Sequence, residues 1–501
     1  MASPSTSYQP RQPASGVLFQ VVRDHFETFR AQAADLRDGE GLPSFVEQEF
    51  RDFLQCGALS GGFARFRCTG CGFDRLVPLS CHGRGFCPSC GGRRMTERAA
   101  HLLDHVFPRV PVRQWVLSLP HRLRYRLAWD HTLCRAVVGC ALRAILGFLR
   151  RRARDAGVAD GRSGAVTIVQ RFGGALNLNI HFHILALDGV FEKDGDAVRF
   201  HPSPSLDPAD VDEVLATVEA YVRRLLVERG ADDGDDGGNT VDEWVNDAPV
   251  LAGLAAASVQ GRVALGARAG TRIRRRGDSL AAATERSQLG PCQARHNGFD
   301  LHAGLCVRAG QRGHLERICR YALRPPVAQE RLHLTDAGHV QLELRRPWAD
   351  GTTHLLFDPL ELLARLAALT PRPRINLILY HGVLGPRAAW RALVVQFGTT
   401  DGRNAAADSA PAAKAHPQTV DRRPGPNYVW ADLMRRSLGL DVLACPRCGG
   451  CLRLIAVIDD PAVVERILRH LGLSTEIPEA RPARAPPTDV APDLVFAADP
   501  A

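Results

Sequence analysis

Lysine is nearly missing from this 501-residue chain: of its 63 basic residues, only Lys193 and Lys414 are not arginine. Long apolar runs are missing too. No stretch of about 18 apolar residues occurs, which argues against a membrane-spanning helix. The opening MASPSTSYQPRQ has no apolar core of a signal peptide. A soluble, cytoplasmic protein without a membrane partner is therefore expected. Tyrosine is scarce, with Tyr8, Tyr125, Tyr221, Tyr321, Tyr380 and Tyr428 making up the six, so chemistry that needs a phenol has few candidates.

What is present points elsewhere. Hydrophobic residues at 45% and charged residues at 23% are the balance of a folded protein rather than a disordered one. The length exceeds one compact core, and roughly two to four domains are expected. The net charge of +9 is carried by arginine, whose planar fork matches phosphate oxygens in pairs and so suits a polyanionic partner. A GC-rich genome would give the same bias. Fourteen cysteines fall in clusters, and without a secretion signal such clusters read as metal sites rather than disulfides.

Apolar periodicity predicts a first helix from Gly16 to Asp35, a strand over Gln114–Leu119 and a helix over Asp130–Arg154 that ends in arginines. Two strands follow, Ala165–Arg171 and Ala175–Leu187, with Gly173-Gly174 between them as a tight hairpin turn. Further helices are expected over Pro208–Glu228, Gly313–Leu323 and 357–369, and a hairpin over 332–346. The boundaries drawn are 1–40 (tail and helix), 41–105 (cysteine-rich), 106–400 (the main domain, with an insertion at about 230–293), 401–427 (linker), 428–475 (a second cysteine module) and 476–501 (a disordered tail).

Cys68-x2-Cys71 and Cys87-x2-Cys90, fifteen residues apart, have the spacing of one structural four-cysteine zinc site. Two such knuckles close a tetrahedron and leave no position open for catalysis. Cys81 and His82 then read as packing beside the metal. Cys445, Cys448 and Cys451 offer three thiolates but lack a fourth ligand nearer than His470, so they are assigned no metal.

The stretch from Leu176 to Ile184 has a strict period of two. Asn177, Asn179, His181 and His183 share one face, and Leu176, Leu178, Ile180, Phe182 and Ile184 the other. Residues i and i+2 on a strand are roughly 6.5–7 Å apart, close enough for two imidazoles to lean onto one divalent ion. Such an ion can polarise a phosphate for attack. Two histidines on a solvated strand face is the plainer alternative. For the attacking group, Tyr321 lies on a helix-like segment among Arg317, Arg320 and Arg324, which would hold DNA phosphates. Tyr380, approached by an apolar run, is its rival and reads more like core.

Taken together, RCTGCGFDRLVPLSCHGRGFCPSCGGRRM, RFGGALNLNIHFHILALDGVF, RYALRPPVAQERL, YHGVLGPRAAWR and DVLACPRCGG occur in one order. In that order they resemble the insertion-sequence transposases of the family numbered ninety-one. The resemblance spans roughly 15–395 and 428–470. It implies an α+β fold with the antiparallel-sheet core of the HUH nucleases, shared with plasmid relaxases and rolling-circle initiators. It also implies an N-terminal zinc-binding domain and a small C-terminal cysteine module. On it, His181 and His183 bind Mg²⁺ or Mn²⁺, Tyr321 is the nucleophile, and the element moves as single-stranded DNA by a rolling-circle route.

Founding members carry two tyrosines separated by three residues, whereas here the corresponding position is Pro325. The chain thus resembles the single-tyrosine branch, in which a second protomer of a homodimer, or repeated use of one tyrosine, completes the exchange. A third metal ligand is open. Gln170 is a candidate, but a tight turn at Gly173-Gly174 would pair it with Asn177, about 13 Å from His181 along the strand. It then reads as a polar neighbour. A non-catalytic zinc-containing DNA-binding regulator and a plasmid initiator or relaxase are the alternative functions.

Overall fold

The computed structural model describes residues 13–35, 40–230, 243–277, 290–398 and 430–484. The expected linker at 401–427, most of the expected N-terminal tail and residues 485–501 lie outside that range. Helices α1 (Val17–Asp35) and α2 (Ser44–Gln55) bring Phe26 and Phe50 into a stack with ring centroids 4.8 Å apart, and Phe86 closes on Phe50 at 4.7 Å. A hairpin of β1 (Phe63–Cys68) and β2 (Asp74–Pro78) leads into α3 (Pro88–His105). Pro88 opens α3, where a missing N–H leaves no helical bond unmade.

After β3 (Val112–Ser118) and α4 (His121–Trp129) comes α5 (His131–Asp155), capped by the Asp130 side chain, which accepts from the Leu133 N–H at 2.8 Å. Among the described residues α5 alone is long and apolar enough to cross a membrane, yet 61% of its apolar window is buried inside the protein. It is a core helix. The strands β4 (Gly164–Phe172), β5 (Leu178–Leu187), β6 (Gly189–Asp194) and β7 (Ala197–Pro202) follow, then α6 (Pro208–Glu228) with its Asp207/Asp210 capping box. The insertion holds α7 (Glu243–Asp247), α8 (Pro249–Val259) and β8 (Arg274–Gly277). Next are β9 (Gln293–His296), β10 (Phe299–Val307), α9 (Arg312–Leu323), β11 (Leu332–Leu334), β12 (Val340–Glu343), β13 (Thr352–Phe357), α10 (Pro359–Leu369), β14 (Ile378–Gly382) and α11 (Arg391–Gln396). The C-terminal part holds α12 (Trp430–Leu438), β15 (Leu452–Ile458) and α13 (Pro461–His470).

The central sheet has six strands in the order β14-β4-β5-β3-β10-β9, and each neighbouring pair is antiparallel. The fold class is α+β, as the sequence leads one to expect. Alternation along β5 sends Ile180, Phe182, Ile184 and Ala186 into the larger core, shared with Val137 of α5 and Leu251 of α8. Leu185 and Leu187 face the other way, into a second core with Leu102 and Leu103 of α3 and Leu315 and Ile318 of α9.

Both faces of the sheet are therefore covered. The polar row of β5 is not a solvated surface, because Leu185 and Leu187, beyond His183 on the same face, pack with α3 and α9. Buried Arg113 grips Asp188 through two hydrogen bonds, 2.8 and 2.9 Å, and donates to the Ala303 carbonyl, tying β3 to the end of β5 and to β10. The expected tail is not free over its first residues. The Arg481 N–H donates to the Arg23 carbonyl at 2.7 Å and the Arg484 N–H to Thr28 Oγ1 at 3.0 Å, so this segment runs along α1.

Candidate active site and cysteine clusters

His181 and His183 lie side by side on β5 with ring centroids 5.0 Å apart. Both are buried, at 8% and 3% exposure. Burial drives their pKa values down to about 4 and about 3, with the Arg324 charge lowering both further, so both imidazoles are neutral at pH 7. The His181 Nδ1–H donates to the Asn179 carbonyl at 2.9 Å, which leaves Nε2 with the lone pair. His183 Nδ1 sits 2.9 Å from the Gln114 amide, and its buried Nε2 has no hydrogen-bond partner among the described residues. Each ring thus keeps one nitrogen outside these hydrogen bonds.

The turn before these histidines differs from the expected tight hairpin. Gly173 to Asn177 form a wider connection in which the Gly173 N–H donates to the Asn177 carbonyl and Leu176 takes a left-handed backbone at φ 54°. A register shift between Gln170 and Phe172 follows. Gln170 therefore pairs with His181, not with Asn177, and shares its face. The expectation that it stands far from the pair is corrected. Its Nε2 donates to the Ala322 carbonyl of α9 at 2.9 Å, while its Oε1 is buried with no hydrogen-bond partner among the described residues.

Ala322 is the neighbour of Tyr321, whose ring meets His183 edge-on with centroids 6.1 Å apart. Tyr321 is 47% exposed, open to a polymer arriving from solvent. Arg324 stacks over its ring at 4.2 Å and Arg345 approaches at 5.8 Å. The other two arginines of the segment stand differently. Arg317 is exposed, whereas Arg320 is paired with Glu316 at 2.9 Å. Tyr380 lies on β14 opposite Val166, two strands from β5, and burial pushes its phenol above the usual range. It does line, with Arg84, Arg94, Arg98, Gln170 and Arg324, a cavity of about 690 Å³ between α3 and the sheet edge.

The cysteines divide in a way the spacing does not suggest. Cys68 and Cys71 do not join Cys87 and Cys90. One cluster holds Cys56, Cys81, Cys87 and Cys90, and another Cys68, Cys71, Cys445 and Cys448, with sulfurs within 4.8 Å of one another in each. The reason is the β1–β2 hairpin. Phe63 pairs with Pro78 at its base while Cys68 and Cys71 sit at its tip, five residues or about 17 Å away. The chain returns to the base at Leu79, whose carbonyl accepts from the Gly57 N–H, and so Cys81 meets Cys56 at the end of α2. Cys81 is a member of its cluster rather than packing beside it, and His82 is not a member.

Sulfur separations of 3.4 to 3.8 Å in the first cluster match the edge of a tetrahedron with Zn–S bonds near 2.3 Å, about 3.8 Å. Hydrogen bonds from neighbouring thiols hold Cys90 far below the usual range and push Cys81 far above it. Cys56 is likewise drawn down and Cys87 pushed up, a mutual conflict among close thiols that a bound divalent cation would relieve.

Sequence reasoning passes over Gln114, Arg345, Cys56 and the joining of Cys445 and Cys448 to Cys68 and Cys71. Gln114 and Arg345 belong to no motif. Cys56 carries one signal, since Cys81-x5-Cys87-x2-Cys90 lacks a fourth thiolate and Cys56 is the nearest cysteine upstream that is not in a knuckle.

Residues 21–119 match the IS91 family described as "Transposase zinc-binding domain", and residues 164–390 match the family described as "Putative transposase". The first span contains one whole cysteine cluster, and the second contains His181, His183, Gln170 and Tyr321. No curated protein and no solved structure matches the chain.

Proposed function

The chain belongs to the IS91-family transposases, and from that premise we propose that it nicks and rejoins single-stranded DNA through a 5′-phosphotyrosine on Tyr321. The observation that carries this reading is three buried side chains with metal-ligand atoms beside one exposed phenol. Gln170, His181 and His183 share a face of the sheet, His183 Nε2 and Gln170 Oε1 are buried without a hydrogen-bond partner among the described residues, and Tyr321 lies against His183. Those three side chains would hold the divalent ion. Rotating the Gln114 amide so that Oε1 accepts from His183 Nδ1–H leaves Nε2 free for it. Bound there, Mg²⁺ or Mn²⁺ supplies Lewis-acid polarisation of the scissile phosphate.

The protein's own groups do the rest. The Tyr321 phenol gives up its proton to solvent, its oxygen attacks phosphorus, the P–O3′ bond breaks, and the 3′-oxygen leaves and takes up a proton from solvent. The phosphoester energy is conserved in the tyrosyl ester, so a 3′-hydroxyl can reverse the step without ATP. Arg324 and Arg345 flank the phenol and would neutralise the phosphate as it approaches. The arginine-lined cavity beside Gln170 offers the strand a path from the sheet edge to the tyrosine. Arg320, occupied by Glu316, serves the helix more than the DNA. With one tyrosine per chain, the second strand transfer falls to a second protomer or to repeated use of Tyr321. The substrate places the enzyme in the cytoplasm.

The test incubates purified protein and Mn²⁺ with single-stranded oligonucleotides covering the ends of the element, followed by denaturing gels. A covalent adduct is expected with wild type and not with EDTA, Tyr321→Phe or His181→Ala. Tight binding without an adduct at any end would instead support a zinc-containing DNA-binding regulator.

A further inference from the structure

We infer that Cys68, Cys71, Cys445 and Cys448 form a second zinc site, built half from each end of the chain, that staples the C-terminal module to the N-terminal domain. The site is separate from the four-cysteine cluster around Cys56, and two of its ligands lie far outside the span matched as a zinc-binding domain.

The geometry is that of two facing knuckles. Cys68 Sγ lies 3.5 Å from Cys448 Sγ and Cys71 Sγ 3.7 Å from Cys445 Sγ, again the edge lengths of a zinc-thiolate tetrahedron, about 3.8 Å. Each knuckle supports its first or second sulfur from the backbone: the Gly70 N–H donates to Cys68 Sγ and the Gly450 N–H to Cys448 Sγ, both at 3.4 Å. Gly72 and Gly449 take the same left-handed turn, φ 70° in each. The strands agree with the ligands. β15 pairs antiparallel with β1 from Phe63 to Cys68, so the sheet order is β15-β1-β2 and the two knuckles meet at one end. Cys451 lies outside the set.

What surrounds the site is too small to hold without a metal. One patch of core consists of Cys68, Cys445 and Leu452, and the other of Phe63, Val464 and Leu468, with a few half-buried neighbours. Modules with so little apolar burial depend on disulfides or metals, and no sulfur pair here is bonded. The staple also reaches the active site. It fixes the module carrying α12, where Arg436 pairs with Glu316 of α9 at 3.2 Å, on the helix that bears Tyr321.

The test counts metal in the purified full chain and then cuts it. Wild type should carry two zinc ions per chain, Cys445→Ser/Cys448→Ser one, Cys68→Ser/Cys71→Ser one, and Cys451→Ser two. A protease site placed within 401–427 should yield two fragments that co-elute in gel filtration from wild type and separate in either double variant. One zinc per wild-type chain, two ions surviving both double substitutions, or fragments that stay together in the double variants would each overturn the inference. Because the two double variants damage opposite ends of the chain, a shared loss of one zinc cannot come from misfolding of one module alone.

Discussion

A metal ligand needs a lone pair on the right nitrogen, and at His181 and His183 the neighbours decide which nitrogen has it. The Asn179 carbonyl fixes one ring and the Gln114 amide the other. Outer partners of this kind typically change metal affinity by about 10- to 100-fold. Gln114→Leu should therefore weaken Mn²⁺ binding by about that factor in calorimetry, and Gln114→Glu should retain it; unchanged affinity in the leucine variant would remove Gln114 from the site. Burial makes a second prediction. With folded pKa values of about 4 and about 3, below the ordinary 6.5, both rings stay neutral as pH falls through 6.5. Proton competition for the metal then begins only near the folded values, so Mn²⁺ affinity should be flat from pH 7.5 to 5.5. A loss centred on pH 6.5 would contradict it. The same depression means the metal-free fold is destabilised as pH drops from 6.5 toward 4, where only the unfolded chain takes up these protons. The histidine face was legible in the sequence because alternation is a property of the strand itself. Gln170 was not, since its place depends on a turn and a register shift that two glycines do not specify.

Elements set those places. β4, β5 and α9 were readable from their apolar periods, within a few residues at each end. What the period could not show is which helices lie over the histidine face, because that depends on how α3 and α9 pack on Val166, Ile168 and Leu185. The end of α9 at Leu323 is where the sequence put it, and Pro325 lies past the helix. The frame beneath is held by the Arg113–Asp188 pair, both side chains at most 10% exposed. Removing one partner of such a pair leaves a buried charge alone. Asp188→Ala is expected to cost about 3–5 kcal/mol in denaturant unfolding. An unchanged midpoint would mean that the sheet does not depend on this tie.

At the scale of the whole molecule, the two ends of the chain come together around β1. Knuckle spacing revealed that cysteines pair locally but not which pairs share a site, since that is fixed by a hairpin about 17 Å long and by β15 arriving from almost 400 residues away. The same assembly places an exposed phenol, a neutral histidine pair and an arginine-lined cavity on one face of the sheet. If that face carries the chemistry, it forms a covalent bond to DNA at one residue. Mass spectrometry of the protein–oligonucleotide adduct, after nuclease and protease digestion, reads that residue directly. A nucleotide phosphate is expected on the peptide carrying Tyr321 and on no other. The same mass on a peptide carrying Tyr380, or on any peptide lacking Tyr321, would contradict it.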